Sequence, residues 1–307
     1  PAWLDALRSA GIPFVSTLMG QKSIPDDELN FHMVGTYGNR EANWAVQNCD
    51  LLLVLGARLD VRQTGADTPD FARLARIVQV DIDPAQLENR VNADLSIHCD
   101  MESFMTSFQI DSETFASIDG GWISELNSHR VSADRDEYPD WKVSPYRLFD
   151  GINRAMSKMP CHYVCDVGNH QMWAAQLIRL SEHQTIHHDG GLGAMGFSLP
   201  AAIGIALESE EKTVVICGDG GMQLNIQELD TIWRLDLNLT VIVMNNYSLG
   251  MVKNFQDMYF DGRNHSTLRG YSSPSFSAVA TAYKITSILV RNYSEWDNDM
   301  KIMKETE

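Results

Sequence analysis

The sequence predicts an α/β protein built from two doubly wound parallel-sheet domains. Three observations carry that expectation. Short apolar runs end on glycine or aspartate, helical patterns lie between those runs, and the alternation starts twice along the 307 residues. Strand, turn, helix, strand is the order a parallel sheet requires, because parallel neighbours are joined by long crossovers and not by tight hairpins. At about 100–200 residues per domain, the length also fits two domains.

Taken in order, residues 51–55 (LLLVL) close on Gly56 and read as a buried parallel strand. Residues 72–75 carry a helical pattern, and 77–82 (IVQVDI) read as a second strand. Asp83-Pro84 is a helix-entry signal, and Asp100 opens a further helix reaching Phe108. Residues 130–145 (RVSADRDEYPDWKVSP) are charged, hold Pro139 and Pro145, and lack a long apolar period. They divide the chain into a Rossmann-like domain over 1–130, a linker over 131–145, and a second domain over 146–307.

The second domain repeats the grammar. Leu148, Phe149, Ile152, Ala155, Met156 and Met159 fall at helical spacing within 146–159. A strand follows over 161–167, a helix over 172–180, and a glycine-dense loop over 190–196. An apolar helix covers 199–207, with Pro200 near its first turn, where a missing N–H costs little. Strand 213–217, helix 222–235 and strand 239–244 complete the pattern.

Composition narrows the function. The chain is 44% hydrophobic and 21% charged, which is globular and not disordered. The 24 Lys and Arg against 41 Asp and Glu leave a formal net charge of −17. That balance argues against nucleic-acid and anionic-membrane partners, which need clustered basic side chains. No run approaches the roughly 20 apolar residues of a membrane span. The opening PAWLDALRSAG lacks the basic and apolar regions of a signal peptide. Cys49, Cys99, Cys161, Cys165 and Cys217 are odd in number and scattered, as reduced thiols of a cytoplasmic protein would be. Cys161 and Cys165 would face one way on a strand, but no second ligand pair follows at a zinc spacing.

The sharpest chemical signal is Gly218-Asp219-Gly220 after one strand and Asn245-Asn246 after the next. Both polar tips then sit at the carboxyl ends of parallel strands, where open α/β sheets bind ligands. The glycines admit close backbone approach, and a helix starting near Met222 would offer unpaired N–H groups to a diphosphate. Asp219 and Asn246 add oxygen donors. One carboxylate, one amide oxygen and one main-chain carbonyl suit Mg²⁺ that completes its shell with phosphate oxygens and water. The ion neutralises the diphosphate, so an acidic protein can hold an anion.

The strand-GDG-helix-strand-NN arrangement resembles thiamine-diphosphate enzymes. Residues 166–176 (DVGNHQMWAAQ), 190–202 (GGLGAMGFSLPAA) and 245–252 (NNYSLGMV) resemble the large catalytic subunit of acetolactate (acetohydroxyacid) synthase. So do 16–20 (STLMG), 45–50 (AVQNCD), 56–60 (GARLD) and 80–83 (VDID), which look like that family's middle domain. Nothing in the chain resembles the family's amino-terminal pyrimidine-binding domain. The 307 residues by themselves are therefore expected to be inactive, since that domain supplies a glutamate to the pyrimidine ring.

The resemblance implies the following roles. Asp219, the Asn246 side chain and the Ser248 carbonyl would bind the metal. The backbone around Gly218, Gly220, Gly221 and Met222, with Asn169, His170 and Met251, would hold the cofactor. The Gly193 carbonyl would accept a hydrogen bond from the 4′-amino group, and Met195 would wedge between the two rings and bend them together. Arg62 would bind substrate. The implied reaction is decarboxylation of pyruvate and transfer of the two-carbon unit to a second 2-keto acid, in a homodimer or tetramer. Without that context Met195 reads as core packing and His170 as a satisfied core histidine. Adjacent strand residues face opposite ways, which argues against His187-His188-Asp189 as a metal site. Asn245 reads as a turn residue.

The chain also departs from the family pattern. Phe255 stands in place of a pocket tryptophan, Val61 in place of an acidic residue, and Asn169 in place of a glutamine. Residues 36–40 (TYGNR) differ from the usual Met-His-Gly stretch that lines a flavin site, whereas Arg58 is retained; FAD is left open. A carboligase or decarboxylase with another acceptor, and a non-catalytic nucleotide-binding module, stand as alternatives.

Overall fold

The computed structural model describes residues 2–108, 120–130, 143–292 and 295–296. The chain separates into two compact units, one of residues 1–21 and 27–132, the other of 22–26 and 133–307. Every pairing between strands of a sheet is parallel in both. Most of the expected linker, 131–142, lies outside the described residues.

The first unit holds α1 (Ala2–Ser9), β1 (Phe14–Ser16), β2 (Asn30–Met33), α2 (Arg40–Asn48), β3 (Leu51–Leu55), α3 (Val61–Thr64), β4 (Arg76–Asp81), β5 (Leu95–His98), α4 (Met101–Ser107) and α5 (Gly120–Ser128). Strands β1 and β2 pair, and the second sheet runs β3-β4-β5. Val46, Val54, Leu59, Phe71, Ile77 and Val91 form one of its buried clusters. The Asp100 signal holds: its carboxylate accepts the Ser103 N–H at 2.9 Å and starts α4. The expected helix at 72–75 is absent. Ala72 adopts φ 50°, a left-handed conformation that cannot continue a right-handed helix. Asp83-Pro84 likewise opens only a turn, closed by the Gln86 N–H on the Asp83 carbonyl and ended by Glu88 at φ 58°.

The second unit holds α6 (Pro145–Met156), β6 (Cys161–Cys165), α7 (Asn169–Leu177), β7 (Gln184–His188), α8 (Ser198–Glu208), β8 (Lys212–Gly218), α9 (Asp219–Leu224), α10 (Glu228–Arg234), β9 (Leu239–Met244), α11 (Gly250–Tyr259) and α12 (Phe276–Ala282). Its sheet runs β7-β6-β8-β9. The chain therefore leaves β6 for β7 on one side and returns to β8 on the other, which makes the β6/β8 junction a topological switch point. Tyr163, Cys165, Val214 and Ile216 pack on one face with Phe149 and Ile152 of α6. Val164, Val215 and Cys217 pack on the other with Leu199, Ile203, Leu229 and Ile232. Both faces of the central strands are dry, as parallel sheets require.

One expected element splits. The helix predicted over 222–235 is two, α9 and α10, because Asn225 leaves helical geometry at φ −130°, ψ 32°. Its amide donates to the Gly196 carbonyl at 2.7 Å, a tertiary bond that replaces helix continuation. The five cysteines are free thiols, and burial pushes Cys161 up to about 11. Among the described residues no helix is long and apolar enough to cross a membrane.

Candidate functional site

The carboxyl ends of β6, β8 and β9 bring the expected residues of the second unit together. Gly218 ends β8 directly opposite Met244 of β9, so Asp219 and Asn245-Asn246 leave neighbouring strand tips. Asp219 is 2% exposed. Its Oδ2 accepts the Tyr271 hydroxyl at 3.0 Å, and the nearby main-chain N–H groups of Gly220 and Asn246 favour its charged form. Burial raises its pKa above the usual carboxylate range, partly offset by these bonds. Asn246 is exposed, and its Oδ1 accepts the Ser248 N–H at 3.1 Å. Asn245 is the turn residue expected, since its Oδ1 accepts Tyr247 N–H at 3.0 Å and Ser273 Oγ–H at 3.2 Å. Tyr247, at φ 54°, makes the sharp bend that returns Ser248 to a buried position.

At the end of β6, fully buried Asp166 is a hub to which the sequence assigns no role. Oδ1 accepts the N–H groups of Val167 at 2.8 Å and Gly196 at 2.9 Å. Oδ2 accepts Ser198 N–H at 2.9 Å and its hydroxyl at 2.7 Å. The glycine-dense loop is pinned a second time where Asp189 Oδ2 accepts the Ala194 N–H at 2.7 Å. Between these anchors, Gly193 sits at φ 71°, a conformation that favours glycine. Met195 is half-buried on the same loop.

Asn169 and His170 begin α7 at the switch point. The His170 ring bonds the Asp166 main chain, but its Nε2 is buried without a partner. Burial pushes its pKa down to about 4 against the opposing pull of Asp166. His188, at the tip of β7, has both ring nitrogens buried and unpartnered, with a pKa lowered to about 3 by burial. His187 lies half-buried on the same strand, and among the described residues no three His, Cys, Asp or Glu side chains gather as a metal cluster.

Glycine positions show how tightly these pieces approach. A Cβ on Gly220 would stand 2.5 Å from Leu249 Cδ2 and 3.1 Å from Met195 Cε, so the GDG turn and the methionine loop face each other. On Gly221 it would meet Asp166 Oδ1 at 2.5 Å, and on Gly218 it would meet His170 Nδ1 at 3.0 Å. On Gly250 it would meet the amide nitrogens of Asn169 and Asn246 at 2.6 and 2.8 Å. Asn169, His170, Met195, Gly218, Gly220, Gly221, Asp219, Asn246 and Gly250 therefore form one connected cluster. Met222 is buried behind it in α9, and Met251 lies in the first turn of α11. Arg62 is exposed on α3 of the first unit. Sequence reasoning missed Asp166 as an anchor, Gly250, and the pair Tyr271 and Gln223. Tyr271 carries no motif, and its contact with Asp219 spans 52 residues.

A parallel sheet with a switch point, a buried carboxylate at one strand tip and an amide at the next is the arrangement in which open α/β sheets bind ligands. Residues 2–108 match the family model described as thiamine pyrophosphate enzyme, central domain. Residues 166–307 match thiamine pyrophosphate enzyme, C-terminal TPP binding domain. The chain belongs to the thiamine pyrophosphate enzymes, of which it carries these two domains. Within that family it is similar to acetolactate synthase large subunits. The large subunit of Cyanidium caldarium is 33% identical over 287 residues, covering 91% of this chain and 48% of the relative. Acetolactate synthase 2, chloroplastic, of Zea mays is 36% identical over 313 residues, covering 96% and 48%. The isozyme 2 large subunit of Escherichia coli (strain K12) is 34% identical over 289 residues, covering 93% and 51%. The chain thus spans about half the length of the curated relatives it matches.

Proposed function

We propose that this chain supplies the diphosphate- and metal-binding half of a cytoplasmic acetolactate-synthase-like transferase. The reaction is decarboxylation of pyruvate followed by carboligation of the two-carbon unit to a second 2-keto acid, a step that serves branched-chain amino-acid synthesis. The observation that carries the proposal is the meeting of Asp219 and Asn246 at adjacent strand tips, with Met195 Cε against Gly220.

The residues present fit the cofactor. Asp219, the Asn246 amide oxygen and the Ser248 carbonyl are the hard oxygen donors Mg²⁺ prefers. Gly218, Gly220, Gly221 and Met222, with Asn169 and Met251, would line the diphosphate. The buried, unpartnered His170 Nε2 is a polar atom that lacks a mate in this pocket. Thiamine diphosphate, when bound, supplies a nucleophilic thiazolium carbon and an electron sink for decarboxylation. Gly193 would present its carbonyl to the 4′-amino group, held in place by the Asp189 and Asp166 anchors on either side. Met195 would fill the angle between the rings with a flexible, polarisable thioether.

Arg62 would bind the carboxylate of a 2-keto acid. Phe255 is 54% exposed and meets Tyr259 at 4.7 Å between ring centres, tilted by 46°, where the family carries a tryptophan. That difference falls on the acceptor pocket and favours a related carboligase with another acceptor as the second reading. Assembly as a homodimer or tetramer is supported by α11, which has no buried residue and exposes Phe255, Met258 and Tyr259. FAD fits less well. The cavity of about 180 Å³ lined by Gly35, Thr36, Asn43 and Gln63 is smaller than the roughly 300–1,000 Å³ of typical ligand pockets. Arg58 is exposed and bonded to Asp60 at 3.0 Å, and it would be the side chain to meet a flavin phosphate.

The test is thermal unfolding with thiamine diphosphate and Mg²⁺, together and singly, against NAD and FAD. Saturation at 100 times Kd should add about 2.7 kcal/mol, only with both components present, and Asp219→Ala should abolish the gain. Equal stabilisation by NAD would instead support the nucleotide-binding module. Product analysis with labelled pyruvate and the whole enzyme then separates acetolactate from other carboligation products.

A further inference from the structure

We propose that Tyr271 is a latch on the metal site, its hydroxyl holding the position on Asp219 that a divalent cation takes over. The inference rests on the reading of Asp219 as a metal ligand.

The Tyr271 hydroxyl donates to Asp219 Oδ2 at 3.0 Å and is the one side-chain donor on that carboxylate among the described residues. It occupies a lone pair that a cation bound through Oδ2 would need, so a cation taking that oxygen displaces it. The donor is a side chain at the start of 271–275, a stretch without helix or strand ahead of α12. Tyr271 is the donor that can move.

The latch has its own keeper. Gln223 Nε2 lies 3.2 Å from the Tyr271 hydroxyl, 3.1 Å from the Asp219 carbonyl and 3.4 Å from the Ser272 carbonyl, so one amide ties the tyrosine segment to α9. The hydroxyl also stands 3.4 Å from where a Cβ on Gly220 would be. It therefore covers the glycine proposed to admit the diphosphate as well as the carboxylate proposed to hold the metal. The physical rationale is desolvation. A buried carboxylate oxygen left without a donor is destabilised, and a neutral hydroxyl satisfies it without adding charge. A divalent cation with its diphosphate offers a stronger partner and replaces it. The rival role is orientation, in which Tyr271 stays bound and fixes the Asp219 rotamer while the cation uses the other oxygen.

The experiment is Mn²⁺ titration of the whole protein, with saturating thiamine diphosphate, read by the loss of the free-ion paramagnetic resonance signal. Tyr271→Phe, which removes the competing hydroxyl and keeps the ring, should bind Mn²⁺ about tenfold more tightly than wild type. Structural damage does not tighten a site, so this direction is specific to the latch. Unchanged or weaker binding by Tyr271→Phe overturns it. Asp219→Asn separates the two levels. If wild type binds no Mn²⁺, or Asp219→Asn binds as well, the metal reading fails and the latch with it. If Asp219→Asn loses binding and Tyr271→Phe equals wild type, the latch alone fails. Should Tyr271→Phe not fold, hydrogen exchange on wild type decides. The amides of Tyr271, Ser272, Ser273 and Ser275 should exchange faster with Mn²⁺ and thiamine diphosphate than without, and slower or equal exchange overturns the proposal.

Discussion

Replacing Asp166 with asparagine changes one atom and should damage both the fold and the cofactor loop. Asp166 is fully buried and accepts four hydrogen bonds, two on each oxygen. An asparagine keeps one oxygen and puts an NH₂ group in place of the other. Turned toward Val167 and Gly196, that group faces two N–H donors with no means of escape. Turned toward Ser198, it faces an N–H and a hydroxyl, and the hydroxyl can rotate to accept. The second orientation is cheaper, and it still leaves the Ser198 N–H buried without an acceptor. One such orphan costs about 1–3 kcal/mol, and the loss of the stronger carboxylate acceptor adds to it. Asp166→Asn should therefore destabilise the second unit by about 2–3 kcal/mol, and Ser198→Ala, which removes only the hydroxyl bond, by about 1 kcal/mol. The assay is urea unfolding followed by far-ultraviolet circular dichroism, with the midpoint lowered and the slope unchanged. Because Gly196 and Ser198 hold the end of the Gly193–Met195 loop, thiamine diphosphate affinity should fall in parallel. A loss below about 0.5 kcal/mol, within the range of ordinary surface substitutions, would refute the anchoring argument.

Two adjacent glycines should respond in opposite ways. Gly221→Ala drives a Cβ to 2.5 Å from the fixed Asp166 Oδ1 and should cost about 1–3 kcal/mol in thermal unfolding. Gly220→Ala meets the flexible ends of Leu249 and Met195, so stability should change little while calorimetric affinity for thiamine diphosphate drops. Acid should weaken the second unit through its buried histidines. His188 has its pKa lowered from 6.5 to about 3 by burial, and His170 shifts the same way. The unfolded chain then takes up these protons first. Stability is full above pH 6.5 and declines as pH falls through the window toward 3, by up to about 1.4 kcal/mol per pH unit for each histidine. Melting of His188→Gln against wild type at pH 7, 5 and 4 should show a shallower decline; parallel curves would remove His188 from the linkage.

The sequence shows most where one physical cause acts locally. Strands Leu51–Leu55 and Leu239–Met244 are found at the residues expected, because a parallel strand is a plain apolar run closed by a turn, but the burial expected of 51–55 is met only at Val54, with Leu51 exposed. The helix expected at 72–75 shows the opposite case: the residue types allow a helix, and the left-handed Ala72 forbids it. The helix over 222–235 has an unbroken pattern, yet Asn225 gives up its helical geometry for a bond to Gly196, 29 residues away. The site divides along the same line. Asp219 and Asn246 are legible because each lies one or two residues past a strand end, and pairing of β8 with β9 makes that distance spatial. Asp166 was in view, but its partners are main-chain N–H groups 30 and 32 residues on, which leave no side-chain pattern. Tyr271 and Gln223 are polar residues without a motif, and only folding brings them to Asp219.

The costs of this arrangement support the proposed site independently of any motif. Structural ion pairs also perturb protonation, but they do so by satisfying charges. Here the burden runs the other way. Asp219 is raised by burial, His170 and His188 are held neutral with unpartnered nitrogens, and Tyr247 bends through positive φ. All four lie at the carboxyl end of one sheet, while the cores on its two faces are apolar and well packed. On the proposed reading, the partner of this pocket is a cation at Asp219 and a group rich in acceptors at the start of α9. A divalent ion carrying a diphosphate meets both demands at once, whereas either component alone would leave one unmet. Cooperative binding of the two, with metal affinity rising when the diphosphate is present and the converse by the same factor, is therefore a consequence of the pocket's charge pattern.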